Sequence, residues 1–121
     1  MQDNTCVLSN GVQVFVVGNK YVSTWMGNYS YNDAIAVCNS KGMNLVDTLR
    51  TIYDNLSYYS SYIPLGTFYW SSTESPSGGR LNKQLSFGTT AYGPAGQEND
   101  NAMYIVNDVN AVNYILCSTN K

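Results

Sequence analysis

The first half of the chain changes its hydrophobic period once, from strand-like to helical. Thr5 to Leu8 and Val12 to Val17 are short β-branched runs divided by Ser9-Asn10-Gly11. Asn-Gly tolerates the positive φ that a tight hairpin demands, so the pattern predicts two antiparallel strands. Gly18-Asn19 marks a second turn, and Lys20 to Trp25 reads as a third strand. Ser30 with Asp33 fits a capping box, and Gly42 stands where a C-cap glycine belongs. Between them Ala34, Val37 and Cys38 share one face, which predicts a helix that directs Cys38 toward the core. Leu49, Ile52, Tyr53 and Leu56 form an i, i+3, i+4, i+7 stripe. A second helix is therefore expected from Asp47, whose carboxylate would cap the amides of Leu49 and Arg50. It fades through Ser57 to Tyr62, and Pro64 forbids its continuation.

The second half returns to strands. Thr67 to Thr73 is aromatic and β-favouring, Leu81 to Phe87 alternates apolar and polar residues, and Ser75-Pro76-Ser77-Gly78-Gly79 between them is a loop. Gly88 to Asn101 shows little periodicity and contains Gly93-Pro94-Ala95-Gly96, the signature of a long loop. Ala102 to Val106 and Val112 to Cys117 read as closing strands joined by an Asn- and Asp-rich turn. Strands, two helices, then strands predict an α+β domain: two helices packed on a mostly antiparallel sheet, with a long loop region. Without repeats or linkers, residues 1–121 read as one domain.

Charged residues make up only 12% of the 121 residues, about half the usual share, while apolar residues reach 44%. That balance excludes a disordered chain and describes a folded domain whose surface is neutral and rich in Tyr and Asn. A net charge of −2 with six Lys and Arg argues against nucleic acid as a partner. No apolar run reaches the roughly 18 residues that span a bilayer, so the chain is not expected to be membrane-embedded. Met1-Gln2-Asp3-Asn4 has no signal-peptide character, and the chain is read as the C-terminal part of a longer protein. Three cysteines leave one bridge and one spare thiol, which implies an oxidising compartment; three buried thiols in a cytosolic protein are the alternative. Cys6, the spare thiol, is read as a buried small residue or as half of a bridge to a segment outside this chain.

Catalytic chemistry finds little support. The chain has no histidine, which removes Ser-His-Asp and Cys-His nucleophiles and most zinc sites. Its eight acidic residues show no spacing that marks a general acid and base, and its glycine-rich stretches lack the strand-loop-helix context of a phosphate cradle. No enzyme is expected.

A helix carrying Cys38, a second helix, the segment Tyr69-Trp70-Ser71-Ser72-Thr73-Glu74 and a final strand carrying Cys117 together resemble the C-type-lectin-like fold. The likeness spans Ser23 to Cys117 and is to its bacterial adhesin members, the distal domains of invasin- and intimin-type proteins and of pilus tips. The resemblance implies a Cys38–Cys117 bridge and a place outside the cell, on a bacterial surface or pilus tip. It also implies attachment to the remainder of a larger adhesin or pilus protein. The proline triplet of calcium-dependent animal lectins is missing, as is their second bridge. Val106-Asn107-Asp108 falls where Trp-Asn-Asp would stand, and Asn107, Asp108, Glu98 and Asn99 offer an oxygen cage for Ca²⁺. The same Asn-Asp pair reads more readily as a hairpin turn, and no cofactor is expected.

Tyr, Asn and Ser together suit neutral, polyhydroxylated ligands, since rings stack on sugar faces and amides bind hydroxyls. Tyr53, Tyr69, Tyr104, Tyr114 and Trp70 fall at core positions, and Trp25 fits either core or surface. Loops on a rigid scaffold carry recognition, so the candidate ligand-binding residues are Tyr92, Gln97, Glu98, Asn99 and Asp100 in the long loop, with Asn107 and Asp108 beside it. Arg80 adds a bidentate donor for acidic groups. The function expected is cell adhesion through a host glycan or bacterial lipopolysaccharide. The alternatives are a protein-receptor module that uses neither sugar nor calcium, and a structural cap on a fibre tip.

Overall fold

The first hairpin closes as its turn requires. In the computed structural model, which describes residues 5–74, 80–85, 87, 104–106 and 110–121, the Asn10 side chain accepts the Val12 amide at 3.0 Å and donates to the Lys41 carbonyl at 2.7 Å. That turn joins β1 (Thr5–Val7) to β2 (Gln13–Val17), and β3 (Lys20–Ser23) follows antiparallel to β2. Next come β4 (Asn28–Tyr29), α1 (Tyr31–Ser40), β5 (Asn44–Leu45), α2 (Leu49–Asp54) and α3 (Leu56–Tyr59). The remaining strands are β6 (Thr67–Glu74), β7 (Arg80–Leu85), β8 (Tyr104–Val106), β9 (Asn113–Tyr114) and β10 (Cys117–Asn120).

Among the described residues the fold is α+β, built mainly from antiparallel strands with three short helices. Its strands form two sheets where one was expected. One has the order β1-β2-β3-β10-β5; the other, β4-β9-β6-β7-β8, includes a parallel pairing of Tyr69 with Tyr114. Val112 to Cys117 is not one strand. β9 belongs to the second sheet, β10 to the first, and Cys117 opens a strand instead of ending one. Ile115 and Leu116 make the crossing, each 0% exposed and each in a different core cluster. A run of apolar residues buried on both sides has no solvent face to hold it in a single sheet.

Helix α1 ends where its sequence predicts. Gly42 adopts φ +72°, its amide donates to the Asn39 carbonyl at 2.9 Å, and the Met43 amide donates to the Cys38 carbonyl at 3.0 Å. These two bonds define a Schellman motif, and Met43 and Cys38 are buried in the same cluster beneath it. The capping box at the other end does not form: Ser30 is the N-cap but makes no side-chain cap bond. Asp47 does not cap α2 either. The N-cap is Thr48, and the Asp47 carboxylate instead takes Lys20 Nζ at 3.2 Å, an ion pair to β3. The expected second helix is two helices, broken at Asn55 (φ −127°, ψ 36°), whose Nδ2 donates to the Thr51 carbonyl at 2.9 Å. An Asn side chain that binds backbone in this way competes with the helical ladder. The apolar stripe survives the break, with Leu49, Ile52 and Leu56 all buried.

Adjacent residues on β6 serve opposite faces, as the pleat dictates. Tyr69 enters the cluster of Phe15, Val22, Leu49, Ile52, Leu85 and Leu116, and its hydroxyl donates to the Pro64 carbonyl at 2.6 Å. Trp70 enters the cluster of Tyr31, Ala34, Cys38, Ile115 and Cys117, and its indole donates to the Tyr29 carbonyl at 2.9 Å. Tyr53 and Tyr114 pack against the first cluster half-buried. The Cys38–Cys117 bridge forms, tying α1 to β10 across a sequence separation of 79. Cys6 is exposed on β1, not buried, because β1 is the edge strand of its sheet.

Candidate ligand-binding cleft

The break at Asn55 bends the chain into an elbow, and the elbow opens a cleft. Its volume is about 490 Å³, and its lining includes Tyr53, Asp54, Asn55, Leu56, Ser57, Tyr58 and Phe87. Leu56, at 5% exposed, forms the apolar floor, whereas Tyr58 and Phe87 are 56% and 58% exposed. Phe87 reaches the cleft from the far end of β7, two residues beyond Leu85. Aromatic surface from the helical elbow and from the strand thus meets at one site.

Tyr58 is held from behind. Its ring meets Tyr59 edge-on at a centroid distance of 4.9 Å, and Tyr59 in turn packs on Phe15 at 5.5 Å. Phe15 also stacks on Tyr62 at 5.0 Å, so the exposed phenol rests on a chain of rings rooted in the core. Such pairs contribute about 0.5–1.5 kcal/mol each beyond their buried area. Burial, with a smaller contribution from Tyr58, raises the Tyr59 phenol above its ordinary pKa, so this support stays neutral.

The polar rim consists of Asp54, Asn55 and Ser57, all exposed. Asn55 spends one amide hydrogen on Thr51, which leaves its oxygen and its second N–H at the rim. With the Asp54 carboxylate and the Ser57 hydroxyl beside it, the rim is polar, and the rings present flat apolar faces. Hydroxylated rings match both properties. Among the described residues no group of three or more His, Cys, Asp and Glu side chains is placed to hold a metal ion.

Of the ligand-binding residues expected from sequence, Tyr92, Gln97, Glu98, Asn99, Asp100, Asn107 and Asp108 lie outside the described residues, and with them the proposed oxygen cage. Arg80 opens β7, paired with Glu74 and Val106. Phe87 lies beyond the opposite end of that strand, so the length of β7, roughly 17 Å at the usual rise, separates the Arg80 backbone from the cleft. The Asp54 to Tyr58 elbow and Phe87 were not anticipated. One signal was available at each place: Tyr58 falls off the apolar stripe of the second helix, and Phe87 ends an alternating run just before a glycine.

No family model matches the chain, and no curated protein or solved structure matches it.

Proposed function

We propose that the chain is the carbohydrate-recognising domain of a cell-surface or pilus-tip adhesin with a C-type-lectin-like fold, and that it binds a host glycan or bacterial lipopolysaccharide. The observation that carries this reading is the cleft, where the rings of Tyr58 and Phe87 flank the acceptors of Asp54 and Asn55. Phe87 is also the last residue before the Gly88 to Asn101 segment, so the chain enters that segment from the rim of the cleft. The bridge between a first helix and a closing strand supports the same family reading.

A glycan array probed with wild type, Tyr58→Ala and Tyr92→Ala tests it. Binding to a defined set of glycans is expected for wild type, with at least a tenfold loss in Tyr58→Ala; wild type that binds no glycan at millimolar concentration ends the proposal. Recognition by this rim needs no calcium, so millimolar Ca²⁺ is expected to leave the melting temperature unchanged. The protein-receptor reading has one observation of its own: Val7, 66% exposed on edge strand β1, where an added strand can pair. Capture of target-cell membranes that persists after enzymatic deglycosylation would favour it.

A further inference from the structure

A second aromatic surface lies apart from the cleft and shares no residue with it. Trp25 is 46% exposed, whereas Trp70 is fully buried. The exposed ring is not loose. Its indole N–H donates to Asn28 Oδ1 at 3.1 Å, and the ring lies against Tyr114 at a centroid distance of 5.4 Å and an angle of 33°. Tyr114 meets Tyr69 edge-on at 5.6 Å, which roots the stack in the core.

The backbone beneath is equally constrained. Met26 donates to the Ile115 carbonyl at 3.1 Å, and Ile115 donates to the Gly27 carbonyl at 3.0 Å. Gly27 sits at φ +116°, where a Cβ would stand 2.8 Å from the Tyr29 ring. The indole has therefore satisfied its one donor, fixed its orientation and turned the rest of its surface to solvent. A pre-oriented flat ring loses little conformational entropy when a ligand stacks on it.

The surroundings decide what stacks. No Asp, Glu, Lys or Arg occurs from Tyr21 to Asn32 or from Asn110 to Asn120, the two segments that carry Trp25, Asn28, Asn113 and Tyr114. Asn28 is exposed beside the ring, and Asn113 is half-buried on the neighbouring strand. A charged ligand finds no counter-charge in these segments, and an extended apolar one would leave the Asn28 amide unsatisfied. A neutral ring with one apolar face and a rim of hydroxyls satisfies both the indole and the amide.

We propose that Trp25 is the stacking platform of a second subsite, which takes a neutral pyranose. The subsite rests on the carbohydrate reading above and adds to it a site and a ligand class. Because Trp70 is buried, acrylamide-quenchable tryptophan emission comes from Trp25, and it reports the subsite directly.

The test titrates the intact chain with lactose, cellobiose, maltose and N,N′-diacetylchitobiose at millimolar concentration, with 3′-sialyllactose as the charged comparison. Quenching and calorimetry are read together. At least one neutral disaccharide is expected to protect Trp25 from acrylamide, and sialyllactose is expected to bind no more tightly than lactose. Trp25→Ala should raise the calorimetric Kd roughly tenfold, and Trp25→Phe should recover most of that loss. Tyr58→Ala should leave the protection in place, and equal melting temperatures verify that each variant is folded. A disaccharide that binds without protecting Trp25, with a Kd unmoved by Trp25→Ala, overturns the subsite and leaves the carbohydrate reading standing. Preference for sialyllactose overturns the neutral ligand class. Absence of any disaccharide binding overturns the subsite, while the glycan array decides the carbohydrate reading separately.

Discussion

Tyr69 ties three parts of this fold together. Its ring fills the cluster beneath α2, its edge meets Tyr114, and its hydroxyl closes a 2.6 Å bond to Pro64. Burial, reinforced by the neighbouring Tyr114, raises its phenol well above the ordinary value, and burial raises Tyr59 in the same direction. A raised phenol binds its proton more tightly in the folded chain than in the unfolded one. The resulting stabilisation is complete below the unfolded value near pH 10 and is lost as pH rises above it. The melting temperature is thus expected to hold level to about pH 9 and to fall above about pH 10. Tyr69→Phe should flatten that fall while costing about 1 kcal/mol at neutral pH, since it orphans the Pro64 carbonyl. Chemical denaturation across pH 7–11 measures both effects.

At the level of elements, what was legible in the sequence was what local chemistry decides alone. The first hairpin and the Schellman end of α1 each follow from a few adjacent residues, and both formed. The caps proposed for Ser30 and Asp47 were as local, yet neither formed; for Asp47, a partner distant in sequence, Lys20, took the carboxylate. Strands β4 and β5, two residues each, are too short to show any period. The cleft was illegible for the same reason as the second sheet. It depends on a break at Asn55 and on Phe87 arriving from elsewhere in the fold; the off-stripe Tyr58 and the apolar end of the Leu81 to Phe87 run mark the two places without showing that they meet. Gly27 marks a constrained connection between elements. Gly27→Ala should destabilise the domain by about 1–3 kcal/mol, because it adds strain at positive φ and drives a methyl into the Tyr29 ring. The same substitution should shift Trp25 emission, since the indole is carried two residues before the displaced backbone.

For the whole molecule, the covalent tie between α1 and β10 outweighs any single non-covalent contact. Closing so long a loop restricts the unfolded chain and contributes on the order of 4 kcal/mol. Cys38→Ala combined with Cys117→Ala is expected to lower unfolding free energy by about that amount, as read from denaturant curves extrapolated to water, with a steeper slope because the uncrosslinked unfolded chain exposes more surface. Reductant should act slowly on the native protein, because both half-cystines are 0% exposed.

The position of that tie also sets how the molecule responds to being pulled. Every described residue of the cleft, from Tyr53 to Phe87, lies between Cys38 and Cys117 along the chain. Tension applied between Thr5 and Lys121 therefore runs through the sulfur pair and bypasses the 79-residue span that holds the cleft. In single-molecule stretching, the oxidised chain should release roughly 270 Å less contour length than the reduced one, at about 3.4 Å per residue. A domain pulled from its two ends would thus keep its cleft folded at forces that strip away the segments outside the bridge.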